Sequence, residues 1–173
     1  MIRKAVLSDL DSCAEIYREH FRHERETVPW TNWREGVYPT RETARRALDA
    51  GTLYVDEEDG TVVSCASLNH VQPAEYAKIS WKYPARGDEV LVIHTLVCRP
   101  GCTRGGRGSR FVAFAEELGR AQGCRVLRLD TYEGNAPARN FYTKLGYRLA
   151  GQTGFFFEGF IRETLVCFEK PLF

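Results

Sequence analysis

The segment Val90–Cys98, VLVIHTLVC, is an unbroken apolar and β-branched run. A strand with one wet face would alternate polar and apolar side chains. A continuous run instead fits a strand buried on both faces, which other elements must cover. The chain supplies those covers in a regular order. MIRKAV reads as a short first strand. In SDLDSCAEIYREHF, Ser8 or Asp9 caps a helix with Leu10, Cys13, Ile16, Tyr17 and Phe21 on one face. RHERETVPWTNWREGVYP, polar and aromatic with little periodicity, reads as a loop. Thr40 then caps RETARRALDAG, which stops at Gly51.

TLYVDEEDGTVVSCASLN reads as two strands around a turn at Asp59-Gly60. HVQPAEYAKISWKYPARGDE is a second irregular aromatic segment, and the apolar run follows it. Beyond the run come a glycine-rich loop, a helix to about Gln122, the strand RVLRLDTY, a short helix over APARNFYTKL ended by Gly146, and a β-rich tail. The order is β-α-α-β-β-β-α-β-α-β-β. No linker, repeat or low-complexity segment interrupts it, so residues 1–173 read as one α/β domain around a mixed sheet.

The glycine-rich stretch is VCRPGCTRGGRGSRFVAF, Val97 to Phe114, with four glycines and four arginines before an apolar helix. A helix start carries unpaired N–H groups and a partial positive charge. Glycines let such a backbone approach an anion closely, and arginines add charge, so the stretch suits a phosphate. It lacks the Lys-Ser/Thr pair of a Walker loop, and its glycines fall too late for a dinucleotide-binding G-x-G-x-x-G.

Bulk properties exclude several classes. A net charge of +1 gives no global attraction to nucleic acid or to an anionic membrane. No apolar run approaches the roughly 20 residues of a membrane span. The N-terminus shows no apolar signal core before its acidic residues, which points to the cytoplasm. Of the six cysteines, Cys98 and Cys102 are close, but no second Cys/His pair completes a zinc site, so free thiols and no metal are expected. Cys102, in the loop, is the thiol best placed for oxidation.

The runs LVCRPGCTRGGRG and LRLDTYEGNAPARNFYTKLGY together resemble the GNAT superfamily of N-acetyltransferases. That family ends an apolar strand in L-x-V-x-P, opens a helix with Q/R-x-x-G-x-G/A, and carries N-x-x-A-x-x-x-Y-x-x-x-G-F/Y after the next strand. Leu96, Cys98 and Pro100 take the first positions, with Cys98 for the valine. Asn135, Ala138, Tyr142, Gly146 and Tyr147 match the last block position for position. Gly106 and Gly108 keep their places, whereas Thr103 stands where the family has Gln or Arg. The resemblance is strong over about Val90 to Leu149 and extends to the N-terminal half only in element order.

The resemblance implies an α+β fold of the GNAT type, with a mostly antiparallel sheet splayed between its fourth and fifth strands. It implies acetyl-coenzyme A as cosubstrate. The pyrophosphate would meet the loop Thr103, Arg104, Gly105, Gly106, Arg107, Gly108 and Ser109, mainly through backbone N–H groups. Arg104, Arg107 or Arg110 would meet the ribose 3′-phosphate. The backbone of Leu96, Val97 and Cys98 would pair with the pantetheine arm, the Leu96 N–H polarising the thioester carbonyl. Asn135 and Ala138 would hold the arm or the start of its helix. Tyr142 would protonate the departing thiolate. His94 shares a strand face with Leu96 by simple alternation and is a candidate base, its ordinary pKa near 6.5 suiting the task. A water chain using Glu89, Asp130 or Glu133 is the competing route.

The acceptor is expected against the N-terminal half, where Trp30, Trp33, Tyr38, Asn69, Gln72, Tyr76 and Trp81 offer aromatic and polar walls. No acidic stripe suggests a basic peptide, so a small-molecule amine is the favoured acceptor over a protein. Two further classes stay open: a coenzyme A-binding sensor without turnover, and a nucleotide or RNA module using the arginine loop. Near-neutral charge and the absence of an aromatic RNA motif weigh against the last. The β-rich tail offers edges through which a homodimer could form.

Overall fold

A computed structural model of the protein describes residues 1–101 and 106–173. Its elements are β1 (Ile2–Lys4), α1 (Leu10–Glu26), α2 (Arg41–Asp49), β2 (Leu53–Glu58), β3 (Thr61–Asn69), β4 (Val90–Cys98), α3 (Arg107–Ala121), β5 (Val126–Tyr132), α4 (Ala136–Lys144), β6 (Arg148–Phe157) and β7 (Ile161–Pro171). This is the order expected from the sequence. The strands form a seven-stranded mixed sheet in the order β1-β2-β3-β4-β5-β7-β6. β4 and β5 are parallel. The pairs β1–β2, β2–β3, β5–β7 and β6–β7 are antiparallel. β4 and β5 pair at Val90↔Val126, Leu91↔Leu127 and Val92↔Arg128. Both strands run on well past that register, to Cys98 and Tyr132.

The chain divides into two compact units. The first comprises Met1–Pro29, Trp33–Leu68 and His94–Phe114. Its core joins the buried face of α1 (Leu10, Cys13, Ile16, Tyr17) to Ala44 of α2 and to Leu53, Val55, Val62 and Cys65 of the β2–β3 hairpin. The hairpin turns at Asp59-Gly60, both with positive φ (50° and 76°), the pairing whose twist suits a two-residue loop. Thr40 caps α2 as expected, its hydroxyl accepting from the Thr43 N–H.

Two local readings are corrected in this unit. α1 continues to Glu26, a full turn into the segment read as loop. Asp9 stands at the cap position of α1 but bonds no helix N–H there. Its carboxylate instead accepts from the Arg3 guanidinium (2.7 and 3.0 Å) and the Val6 N–H (2.8 Å). An ion pair with β1 outcompetes the cap, and it holds the Asp9 carboxyl below its usual range.

The second unit comprises Trp30–Asn32, Asn69–Ile93 and Ala115–Phe173. One sheet face here carries Val90, Val92, Val126, Phe155, Leu165 and Cys167, covered by Tyr76 and Ile79 with Trp81 and Tyr83 partly buried beside them. The covering segment has little regular structure of its own, only short 3-10 turns at Ala74–Lys78 and Gly87–Glu89. It is fixed by polar contacts instead. The fully buried carboxylate of Glu169 accepts from the Lys82 N–H (2.7 Å), the Tyr83 N–H (3.3 Å) and Arg148 (2.9 Å).

Candidate functional site

In the first unit, β4 leaves regular strand geometry at Thr95, whose φ of 54° lies in the left-handed region. A β-branched residue rarely adopts that conformation, so neighbouring contacts must hold it. One is the hydrogen bond between the hydroxyls of Thr95 and Tyr38. The twist breaks the alternation that set His94 and Leu96 on one face, since that rule assumes extended backbone between them. His94, Leu96 and Cys98 are half-buried and Val97 is buried. Burial pushes the Cys98 thiol up to about 11, so it is no nucleophile at neutral pH.

Past β4, the expected sites at Cys102, Thr103, Arg104 and Gly105 lie outside the described residues. Gly106 has a φ of 68° and is exposed; nothing lies within 4 Å of where a Cβ would stand, so the backbone angle alone calls for glycine. α3 begins at the next residue, leaving the N–H groups of Arg107, Gly108 and Ser109 without partners inside the helix.

The arginines here are committed to β2. Arg107 Nε donates to Glu58 at 2.9 Å, and Arg110 Nε donates to Asp56 at 3.0 Å and also reaches Glu58 through Nη2. These guanidiniums hold the Glu58 carboxyl at about 2. Arg99 pairs with Glu19. Three of the four cations in the stretch thus face carboxylates in this structure.

In the second unit, α4 is built as its sequence implied. The Asn135 side chain caps it by accepting from the Ala138 N–H at 3.1 Å. Tyr142 follows on the same helix, buried among Phe141, Tyr147 and Phe168, with ring centroids 5.0, 5.8 and 6.0 Å away. On β5, Asp130 accepts from the Tyr76 hydroxyl at 2.8 Å. Burial outweighs that bond and pushes the carboxyl up to about 6, within reach of proton exchange at neutral pH.

A cleft of about 690 Å³ opens on the same unit. Tyr132, Phe155, Thr164 and Glu163 line it, with Asn32 beside them, and Glu75, Lys78, Glu133, Gly154, Phe156 and Arg162 complete its wall. Glu163 was missed in the sequence. It sits in the alternating strand IRETLVCF at a position that shares a sheet face with Leu165 and Cys167, and a carboxylate at an inward register was the available signal. Its Oε2 is buried with no hydrogen-bond partner among the described residues. Burial pushes the Glu163 carboxyl up to about 7, against a lowering contact from Asn32.

The seven expected acceptor residues separate between the units, and none lines this cleft. Trp33 and Tyr38 belong to the first, where Trp33 packs between His20 and Tyr38 (centroids 5.4 and 5.7 Å). In the second, Trp30 is exposed, and Asn69 accepts from the Val71 N–H at 2.8 Å. Gln72 accepts from Arg128 at 2.6 Å, and the Arg128 guanidinium lies 4.1 Å over the Trp81 ring. Gln72, Tyr76 and Trp81 therefore fasten the covering segment to the sheet. Among the described residues no His, Cys, Asp or Glu cluster could hold a metal, and no helix is long and apolar enough to cross a membrane.

No curated protein matches the sequence. Solved structures are similar in fold. An N-acetyltransferase from Staphylococcus aureus superposes with a TM-score of 0.69 at 18% identity, covering 100% of this chain and 98% of its own. A ribosomal-protein-alanine N-acetyltransferase from Brucella melitensis gives 0.67 at 21%, covering 99% of each chain. The Salmonella typhimurium protein yncA, solved with its cofactor acetyl-CoA, gives 0.69 at 19%, covering 100% of this chain and 94% of its own. The sequence pattern of the acetyltransferase (GNAT) family matches residues 10–147, most of the chain, with β4 and its left-handed Thr95, the glycine-led start of α3 and the Asn135-capped α4 all inside the match. The chain belongs to the acetyltransferase (GNAT) family.

Proposed function

We propose that residues 1–173 act as one catalytic domain that moves an acetyl group from acetyl-coenzyme A to the primary amine of a small molecule, by direct attack in a ternary complex. The observation that carries this reading is the sequence from Thr95 to α3. The left-handed turn at Thr95 takes β4 out of regular strand geometry, and Gly106 then leads into α3, whose first-turn N–H groups have no acceptor within the helix itself. The first feature leaves strand backbone at Leu96, Val97 and Cys98 for an extended pantetheine arm. The second suits a pyrophosphate, held by N–H groups of Gly106, Gly108 and Ser109 together with the preceding Thr103–Gly105.

In this reading the Leu96 N–H polarises the thioester carbonyl. The acceptor ammonium loses a proton, its nitrogen attacks the carbonyl carbon, and the C–S bond breaks. Tyr142 gives the departing thiolate a proton, and Asn135 and Ala138 support the coenzyme arm. His94 is the base expected from the sequence. Asp130 is the specific alternative, favoured by its titration near 6. Release of free thiol from acetyl-coenzyme A across amines, amino acids, polyamines and a lysine peptide tests the function. No release with any acceptor, while coenzyme A binds, would replace the transferase with a coenzyme A sensor. For the base, His94→Ala and Asp130→Asn are compared by pH profile: the variant that abolishes the acidic limb identifies the group.

A further inference from the structure

The charged side chains around the second unit's cleft are unusual in their lack of company. Glu163 is half-buried on the inner wall beside the apolar Phe155 and Tyr132. Lys78 and Arg162 are exposed at the mouth, on a wall that also carries the Glu75 and Glu133 carboxylates. Neither cation forms an ion pair with a described residue; Arg162 rests instead over the Phe156 ring at 4.5 Å. Glu163 has Asn32 as its hydrogen-bonding neighbour and an orphaned Oε2. Elsewhere the chain pairs its charges readily, as at Arg3–Asp9 and Lys170–Glu116. A half-buried carboxylate on the inner wall, and outer cations that pair with neither Glu75 nor Glu133, suit a ligand that brings both opposite charges.

We propose that this cleft is the acceptor site, and that its acceptor is a small amine bearing its own anionic group, of the amino-acid type. The ammonium is received at Glu163, the anion at Lys78 and Arg162, and the apolar body rests on Phe155 and Tyr132. A cleft of about 690 Å³ has room for a ligand of that size and is small for a folded protein. The assignment rests on the transferase reading only for the word acceptor; the binding chemistry stands apart from turnover.

The test is calorimetric binding to the whole protein, with coenzyme A present, of L-amino acids, each set against its decarboxylated amine and its deaminated acid. Thiol release is measured in parallel on the same panel. At least one amino acid binds about 10-fold or more tighter than both of its partners, the share of one charge-assisted hydrogen bond. Lys78→Ala/Arg162→Ala brings that amino acid level with its amine, and Glu163→Gln brings it level with its acid. Lys78 and Arg162 are exposed, so the double variant folds. Amines that bind and react as well as their amino acids overturn the inference and leave the transferase intact. Selective amino-acid binding without thiol release supports the cleft and overturns the transferase. Absence of amino-acid binding, with or without release on other amines, overturns the inference.

Discussion

The Tyr76 hydroxyl donates a 2.8 Å hydrogen bond to Oδ2 of Asp130, tying the irregular covering segment to β5. The bond favours the ionised carboxylate, while burial opposes it and wins. Tyr76→Phe removes the favourable contact, so the Asp130 carboxyl titrates above 6, as carboxyl-carbon NMR would read. Leaving the acceptor without its donor also costs about 1–2 kcal/mol in urea unfolding. An unshifted titration would show that the hydroxyl does not govern this group.

Glu163 gives stability a pH dependence of definite sign. An unfolded Glu ionises near 4.5, but in the fold this carboxyl holds its proton to about 7. The folded state therefore binds the proton more tightly, and stability is highest below the unfolded pKa. It falls as pH rises from about 4.5 to 7 and then levels off. Glu163→Gln, neutral throughout, should raise the thermal midpoint relative to the parent at pH 8 by more than at pH 4. Equal shifts at both pH values contradict the burial described for Glu163.

Tyr142→Phe should lower turnover roughly 10- to 1000-fold, the span expected for loss of one acid catalyst, with little change in coenzyme A affinity. The ring keeps its packing against Phe141, Tyr147 and Phe168, so the fold survives. Unchanged turnover removes Tyr142 from the mechanism.

Element order was legible because it rests on local signals. The Asp59-Gly60 turn, the Thr40 and Asn135 caps and the apolar run of β4 each report on their own neighbourhood. What was not legible depends on partners far away in sequence. Asp9 reads as a cap from its own neighbourhood although Arg3 faces it in the fold, and the carboxylates Glu58 and Asp56 that β2 presents to Arg107 and Arg110 leave no mark in the glycine-rich stretch itself. Tyr76 and Trp81 looked like acceptor walls, yet the same aromatic surface packs onto the sheet. Glu163 was invisible for the same reason: burial of one carboxylate is a property of the assembled face. Thr95 is a harder case, since nothing in VLVIHTLVC marks a left-handed residue.

Arg110 separates two roles in one experiment. It bonds the fully buried Asp56, which also lies 3.2 Å from the Met1 amino group. Arg110→Ala should destabilise the protein by about 1–2 kcal/mol, because a buried acceptor loses its main donor. If Arg110 is only a strut, the preference for coenzyme A over its 3′-dephospho form stays constant. If it leaves Asp56 to meet the 3′-phosphate, that preference falls, as competitive binding would measure.

At Thr95 the left-handed backbone and the hydroxyl contact can be separated. Thr95→Gly and Thr95→Val both lose the bond to Tyr38, but only glycine adopts a φ of 54° without steric cost. Glycine should be the more stable of the two by about 1–2 kcal/mol, the cost of a left-handed branched residue. The reverse order in urea unfolding argues against the left-handed backbone at Thr95.

Glu169 joins chain positions 87 and 86 residues apart, taking the N–H groups of Lys82 and Tyr83 onto a carboxylate near the C-terminus. A chain leaving the ribosome therefore exposes Tyr76, Ile79 and Trp81 long before their seat is made. Their sheet face, begun by Val90, Val92 and Val126, stays incomplete until β7 has paired with β5. A stalled or truncated chain lacking β7 would carry that aromatic segment uncovered, the kind of surface that holding chaperones capture and proteases cut.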